Sequence, residues 1–277
     1  MSYATQILES ARQARITHDY AERAIAPGLS AKPPAPADRG HTKACPGSGV
    51  CTDCTVRHVT FCSVMPPRDL PRLAAVVHQA RFAPRQTLFQ EGDPAHEIFN
   101  LLDGTVKLYK SLPDGRTQIT GFLSAGDFMG LASGGHYAYS AEAVTDVKVC
   151  RFQRRDLMTL FHDFPNMVER LLTIASDELA IAQEQMLLLG RKTAEEKVMT
   201  FLLTLAERAK RRGQDGRALS LPMSRNDIAD YLGLTVETVS RTMTKLRKRG
   251  VIRLPRPQDV ILSADVDLHA LAEGANV

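Results

Sequence analysis

No stretch of this sequence approaches the roughly 18 uninterrupted apolar residues of a transmembrane helix, so no membrane span is expected. The first twenty residues carry Glu9, Arg12, Arg15 and Asp19 where a secretory signal needs an apolar core, and the expected location is the cytoplasm. A strong excess of charge of either sign is also lacking. Lys and Arg number 35 against 31 Asp and Glu, and the net +4 permits nucleic-acid binding without demanding it. No Gly-rich nucleotide loop or substrate-pocket motif is present, which leaves an enzyme reading without support. No internal repeat is visible, so a solenoid is excluded. Cysteine is sparse at five, and in a reducing compartment five thiols read as thiols or metal ligands rather than disulfides. What remains is an ordinary globular composition, 44% hydrophobic and 24% charged, over 277 residues that suit two compact domains.

The most informative stretch runs from Asn226 to Arg241. Ile228, Ala229 and Leu232 fit a short helix capped by Ser224 with Asp227 three residues on, and Gly233 breaks it. A second helix follows, with Thr235 as N-cap and Val239, Met243 and Leu246 on its buried stripe. Two short helices around a Gly-containing turn make the helix-turn-helix pattern. The second helix presents Glu237, Ser240, Arg241 and Thr244 on one polar face. Arg can grip guanine with two hydrogen bonds, a carboxylate can accept from cytosine N4, and hydroxyls reach bases or phosphates. Alone, such a hairpin reads as two solvated helices. The basic run Lys245-Leu246-Arg247-Lys248-Arg249, suited to phosphates, moves the reading to DNA, as do the Val251–Arg253 and Val260–Leu262 strands of a wing.

Chemistry of a different kind lies in Cys45-x5-Cys51-x2-Cys54-x7-Cys62. Four thiols among Gly, Pro, Thr and Ser are not core packing, and in a polar loop they would be reactive unless coordinated. An x2 spacing lets two thiolates reach one metal centre from a tight turn. Zinc and an iron–sulfur cluster are equally open on this chemistry.

The remainder supplies a frame. Residues 1–44 read as a flexible tail, with a modest helix over 4–24, a stop at Ala26-Pro27-Gly28 and a Pro-rich linker over 31–38. From Asp69 to Arg154 short apolar runs alternate with turns at Glu91–Pro94, Asp103-Gly104, Pro113–Gly115 and Gly126-Asp127, which suggests a small barrel or jelly roll. A long helix is expected from Phe161 to Gly190, with Pro165 near its first turn. Leu172, Ala175, Leu179, Ala182, Met186 and Leu189 form a coiled-coil seam. Leu171, Ile174, Ile181 and Leu188 form a second stripe for the barrel. Thr193 to Arg211 reads as a further amphipathic helix.

Leu232 to Arg241, with its E-x-x-S-R spacing, resembles the DNA-reading segment of the CRP/FNR family of bacterial transcription factors, and of the FNR branch in particular. Phe89–Asp93, Leu102–Tyr109 and Pro113–Arg116 resemble the cyclic-nucleotide-binding β-roll. The resemblance implies an α+β fold in four parts: the tail over 1–44, a cysteine loop and sensory β-roll over 45–160, a dimerisation helix over 161–191 and a winged helix-turn-helix over 192–277. It further implies that Cys51, Cys54, Cys62 and Cys150 ligate a [4Fe–4S] cluster that sustains the DNA-binding homodimer without oxygen and is degraded by it. Cys45 stays outside that set. Thr235, Glu237, Ser240, Arg241, Thr244, Lys245 and Lys248 would meet double-stranded DNA at a palindromic promoter site, with RNA polymerase as a further partner at the Asp114-Gly115 hairpin. The roll departs from its nucleotide-binding relatives. Gly130 is followed by Leu131 rather than a ribose-binding Glu, and Tyr139-Ser140 replaces the Arg-Ser pair for the phosphate, so no cyclic nucleotide is expected. The alternative is a regulator of the same family with structural zinc, haem or another ligand in place of the cluster.

Overall fold

The computed structural model describes residues 43–44 and 49–274. The expected tail helix over 4–24, the linker over 31–38 and Cys45 lie outside those residues. The described chain is α+β, as expected.

Its first half builds the roll. Strands β1 (Lys43–Ala44), β2 (Val77–Phe82), β3 (Thr87–Phe89), β4 (Glu97–Asp103), β5 (Thr105–Ser111), β6 (Thr117–Ser124), β7 (Phe128–Met129), β8 (Ala132–Ser133), β9 (His136–Tyr137), β10 (Ser140–Ala143) and β11 (Val147–Gln153) follow in order. One sheet has the order β1-β2-β11-β4-β7 and the facing one β3-β10-β5-β6. Side-chain alternation divides β4 between two cores. Phe99 and Leu101 face the roll interior with Phe89, Val106, Met129 and Val149. Ile98 faces the opposite way, into a second core with Phe61, Leu73, Phe152, Leu157, Phe161 and three cysteines.

That second core is covered by helices, and here the structure corrects two expectations. Residues 70–76 are not strand but helix α2 (Leu70–Val76), reached through short 3-10 turns at Arg57–Val59, Phe61–Val64 and Pro67–Asp69. Leu70, Leu73 and Ala74, buried at i, i+3 and i+4, are the helical stripe that the strand reading overlooked. α1 (Gly49–Thr52) precedes these turns. Likewise, residues 154–163 form a separate helix, α3 (Arg154–Asp163), and the long helix α4 runs from Pro165 to Arg191 rather than from Phe161. A residue before proline is driven out of the helical region, and Phe164 sits at φ −129°, ψ 75°.

The second half follows as α5 (Ala194–Arg211), β12 (Ala218–Ser220), α6 (Arg225–Leu232), α7 (Val236–Lys248), β13 (Ile252–Arg256), β14 (Asp259–Leu262) and α8 (Leu268–Ala272). Thr193 and Glu196 close a reciprocal capping box on α5. β13 and β14 form the expected wing, and β12, a strand the sequence pattern did not announce, pairs with β14 on its other side. A third core runs from Val198 and Leu202 of α5 through Ile228, Val239 and Leu246 to Val260, and it takes in Ile119 and Phe122 of β6. The reading head and the roll therefore share one hydrophobic core.

Candidate nucleic-acid interface and cysteine cavity

The reading head is set by its caps. Ser224 Oγ accepts from the Asp227 amide at 3.1 Å, and Asp227 Oδ2 accepts from the Ser224 amide at 2.9 Å, which fixes the start of α6. Gly233 ends it at φ 60°, ψ 44°, a left-handed conformation costly for other residues, and the Leu234 amide returns to the Ala229 carbonyl. Thr235 then caps α7 by accepting from the Thr238 amide at 3.2 Å. Val239, Met243 and Leu246 are buried beneath it, together with Thr242, which the sequence reading did not single out. Glu237, Ser240 and Arg241 are exposed on the opposite face, and Thr244 is half-buried. Glu237's own backbone amide and the Thr235 hydroxyl hold its carboxyl below the usual range, with Arg241 adding to the effect. The group is an acceptor at neutral pH.

The basic run is split by its surroundings. Lys245 Nζ pairs with Glu195 Oε2 of α5 at 2.6 Å, and Arg249 pairs with the same carboxylate. Arg247 and Lys248 stand exposed on the other side. Arg225 was missed from sequence, although its place directly after a capping Ser was a signal. Its Nη2 donates to the Pro257 carbonyl at the wing tip, 3.0 Å away, and its buried Nη1 has no partner.

Several contacts hold this head against the roll. Lys107 Nζ of β5 lies 3.0 Å from both Glu142 Oε1 and Asp227 Oδ1. Phe122, Phe201 and Tyr231 pack as tilted rings with centroids 5.4–6.1 Å apart. Arg208 of α5 donates to the Phe122 carbonyl at 2.8 Å and reaches Asp127 and Glu178 at 3.3 and 3.6 Å.

The four expected cysteines line one cavity of about 390 Å³, although they come from three separate stretches. Cys51 sits on α1, Cys54 on the turn after it, Cys62 on the 3-10 turn Phe61–Val64, and Cys150 on β11. A polar loop was expected here. Instead Cys51, Cys62 and Cys150 are buried at 6–8% exposure, because Phe61 anchors the segment among Phe128, Phe152 and Phe161 at 5.6–5.9 Å. Cys150 lies on the last strand of the roll, but the ten residues of α3 separate it from the long helix α4. Thr60 caps the Cys62 turn, accepting from the Cys62 amide at 3.2 Å. Burial pushes the Cys62 thiol up to about 12, Cys51 and Cys54 add to the rise, and hydrogen bonds from Thr60 and Asn100 oppose it. The described thiols carry no disulfide. Among the described residues no three Cys, His, Asp or Glu side chains converge on a single ion. Arg57 and Lys148 line the cavity with Asp53 and Asp103.

Within the roll, Tyr139 Oη accepts from the Gly130 amide at 3.3 Å and Ser140 Oγ from the Glu91 amide at 3.0 Å. Both hydroxyls serve the roll's own backbone.

Comparison with known proteins agrees with these two halves. Residues 79–164 match the cyclic nucleotide-binding domain family, and residues 221–252 match the family of bacterial regulatory proteins, crp family. The transcriptional activatory protein AadR of Rhodopseudomonas palustris is 43% identical over 211 residues, covering 76% of this chain and 88% of that protein. The fumarate and nitrate reduction regulatory protein of Salmonella typhi is 33% identical over 225 residues, covering 80% and 90%. The structure of FixK2 from Bradyrhizobium japonicum superposes with a TM-score of 0.66 at 37% identity, over 71% of this chain and 97% of that one. With a capped helix-turn-helix, a wing and a β-roll in one chain, this protein belongs to the CRP/FNR family of transcription regulators, whose members bind DNA as dimers and are not enzymes.

Proposed function

We propose that this chain is an oxygen-responsive regulator that acts as a homodimer on a palindromic promoter site, with Cys51, Cys54, Cys62 and Cys150 holding a [4Fe–4S] cluster. The observation that carries this reading is the single cavity lined by all four thiols. Four Cys thiolates are the usual donor set for such a cluster. Structural zinc on the same thiols is the alternative donor chemistry, and metal counts separate the two. Relatives named for fumarate and nitrate reduction support a link to respiration without oxygen. When bound, the cluster supplies oxygen-sensitive redox chemistry and a tie between the N-terminal segment and β11.

The chain's own residues carry the consequence outward. Leu171 and Ile174 on the inner stripe of α4 pack into the core that contains Cys51, Cys62 and Cys150. Arg170 Nη2 donates to the Val59 carbonyl at 3.3 Å, just ahead of the Cys62 turn. The outer stripe presents Leu172, Leu179 and Met186 at 59–68% exposure, one heptad apart, to a second copy of the chain. One helix thus rests on the cysteines and offers the dimer seam. Ala175 and Ala182 in that seam bury less area than Leu, which keeps the dimer marginal and open to control. In the dimer, the two α7 helices enter major grooves about 34 Å apart. Glu237, Ser240 and Arg241 then face base edges, while Thr235, Thr244, Lys245 and Lys248 serve phosphates and register. The exposed Asp114-Gly115 tip of the β5–β6 hairpin is the surface offered to RNA polymerase. No cyclic nucleotide enters this scheme, because Tyr139 and Ser140 already serve the roll.

Anaerobic purification tests the reading, with a visible spectrum and iron, sulfide and zinc counts before and after admitting air. A brown protein with about four irons per chain that bleaches and loses its dimer supports it. A colourless protein with stoichiometric zinc overturns it and leaves a DNA-binding regulator with a different signal.

A further inference from the structure

Asn100 is an amide in a place that favours a hydrocarbon. It sits on β4 on the face shared by Ile98 and Leu102, is 2% exposed, and lines the cysteine cavity. Its strand register sets it directly opposite Cys150 on one side and Phe128 on the other. Its Nδ2 donates to Cys62 Sγ at 3.6 Å, while its Oδ1 is buried with no partner. A buried orphan acceptor costs free energy that Leu at this position would avoid. The residue is thus unfavourable for packing and useful for one contact. That contact joins the 3-10 turn of Cys62 to β4, the strand paired with that of Cys150.

We propose that Asn100 is a positioning residue of the cysteine site: its amide holds Cys62 Sγ toward the cavity and withdraws electron density from the sulfur. The inference rests on the cluster reading above. Hydrogen bonds to ligand sulfurs stabilise the thiolate and raise the reduction potential of a cluster. Without the amide, the sulfur is more electron-rich and the loaded site loses electrons to oxygen more readily.

The test uses the full chain, reconstituted anaerobically with ferrous iron and sulfide, in wild-type, Asn100→Leu and Asn100→Asp forms. Leu keeps the volume and removes both polar atoms, whereas Asp keeps the shape and sets an acceptor against the thiolate. The expected result for Asn100→Leu is a crossed effect. Thermal unfolding of the metal-free protein occurs at an equal or higher temperature, yet the loaded protein bleaches in air about tenfold faster. Asn100→Asp should retain less iron and sulfide than wild type. Wild-type iron, sulfide and air lifetime in Asn100→Leu would overturn the proposal. If Asn100→Leu does not fold, Asn100→Asp decides, and full loading with a wild-type lifetime there overturns it equally. A wild-type chain that takes up no iron or sulfide overturns the cluster reading itself, and this inference with it.

Discussion

Arg241 and Lys248 lie on the same helix and carry the same charge, but they can do different things to DNA. Arg241 stands on the polar face beside Ser240 and Glu237, and its planar fork can read a base edge. Arg241→Ala should cost about 1–3 kcal/mol of specific affinity and relax one base preference. Binding measured across single-base variants of the site checks this, and unchanged selectivity refutes the role. Lys248 is exposed at the helix end, where the proposed docking sets it against phosphates. Lys248→Ala should weaken every sequence alike and lower the salt slope by about one. Lys245 was assigned to DNA with it from sequence, but its pairing with Glu195 makes its ammonium compete for two partners. At the cavity, Cys150→Ala should abolish iron and sulfide retention with the far-ultraviolet circular dichroism unchanged. Full retention there would return Cys45 to consideration. These residues were legible as types at spacings. Asn100 and Arg225 were not, because what distinguishes each is a buried atom without a partner, and burial at one position follows from packing rather than pattern.

Among the elements, α4 tests the reading best. Leu172, Leu179 and Met186 are mostly exposed among the described residues, so Leu179→Glu should leave the monomer folded. Lost burial in both copies, about 2 kcal/mol or more for each, should shift the protein to monomer. Sedimentation at stepped concentrations reads this directly, and an unchanged dimer would remove the seam from α4. The heptad was visible in the sequence because its spacing is local. Its last member behaves differently: Leu189 is half-buried and packs into the reading-head core, with its Cδ2 close to Gly233. The missed start of α4 and the missed helix α2 have separate causes. Pro165 drives Phe164 out of the helical region and so divides what reads as one helix, whereas the stripe of α2 is only two turns long and its Leu70, Leu73 and Ala74 merge with the strand runs that follow.

At the scale of the whole molecule, the reading head is docked on the roll through a shared core and through Lys107. Burial acts to raise the Asp227 carboxyl, but Ser224 and Lys107 outweigh it and hold the group below its ordinary value. A depressed carboxylate contributes stability above its unfolded value, about pH 4, and loses that contribution as pH falls through the lower folded value. Lys107→Ala should therefore destabilise the chain by about 1–3 kcal/mol at neutral pH. In urea unfolding at stepped pH, its deficit should shrink below pH ~4. A deficit that persists in acid would mean that the Lys107 stem acts through packing rather than through its pairing with either carboxylate. This docking was not legible beforehand. Two families of elements can be read separately from periodicity, but a core made of Ile119 with Leu202 and Val239 depends on contacts far apart in sequence.

The distance along the chain from Cys62 to Cys150 has a consequence during synthesis. Cys51, Cys54 and Cys62 leave the ribosome about 90 residues before Cys150, an interval of roughly 5–20 s at ordinary elongation rates. Until β11 pairs with β2 and β4, these three thiols have no cavity around them. The newborn chain therefore exposes them to adventitious metals and oxidants before its site exists. Completion of the roll, rather than appearance of the Cys-rich segment, sets the earliest moment at which the site can be filled.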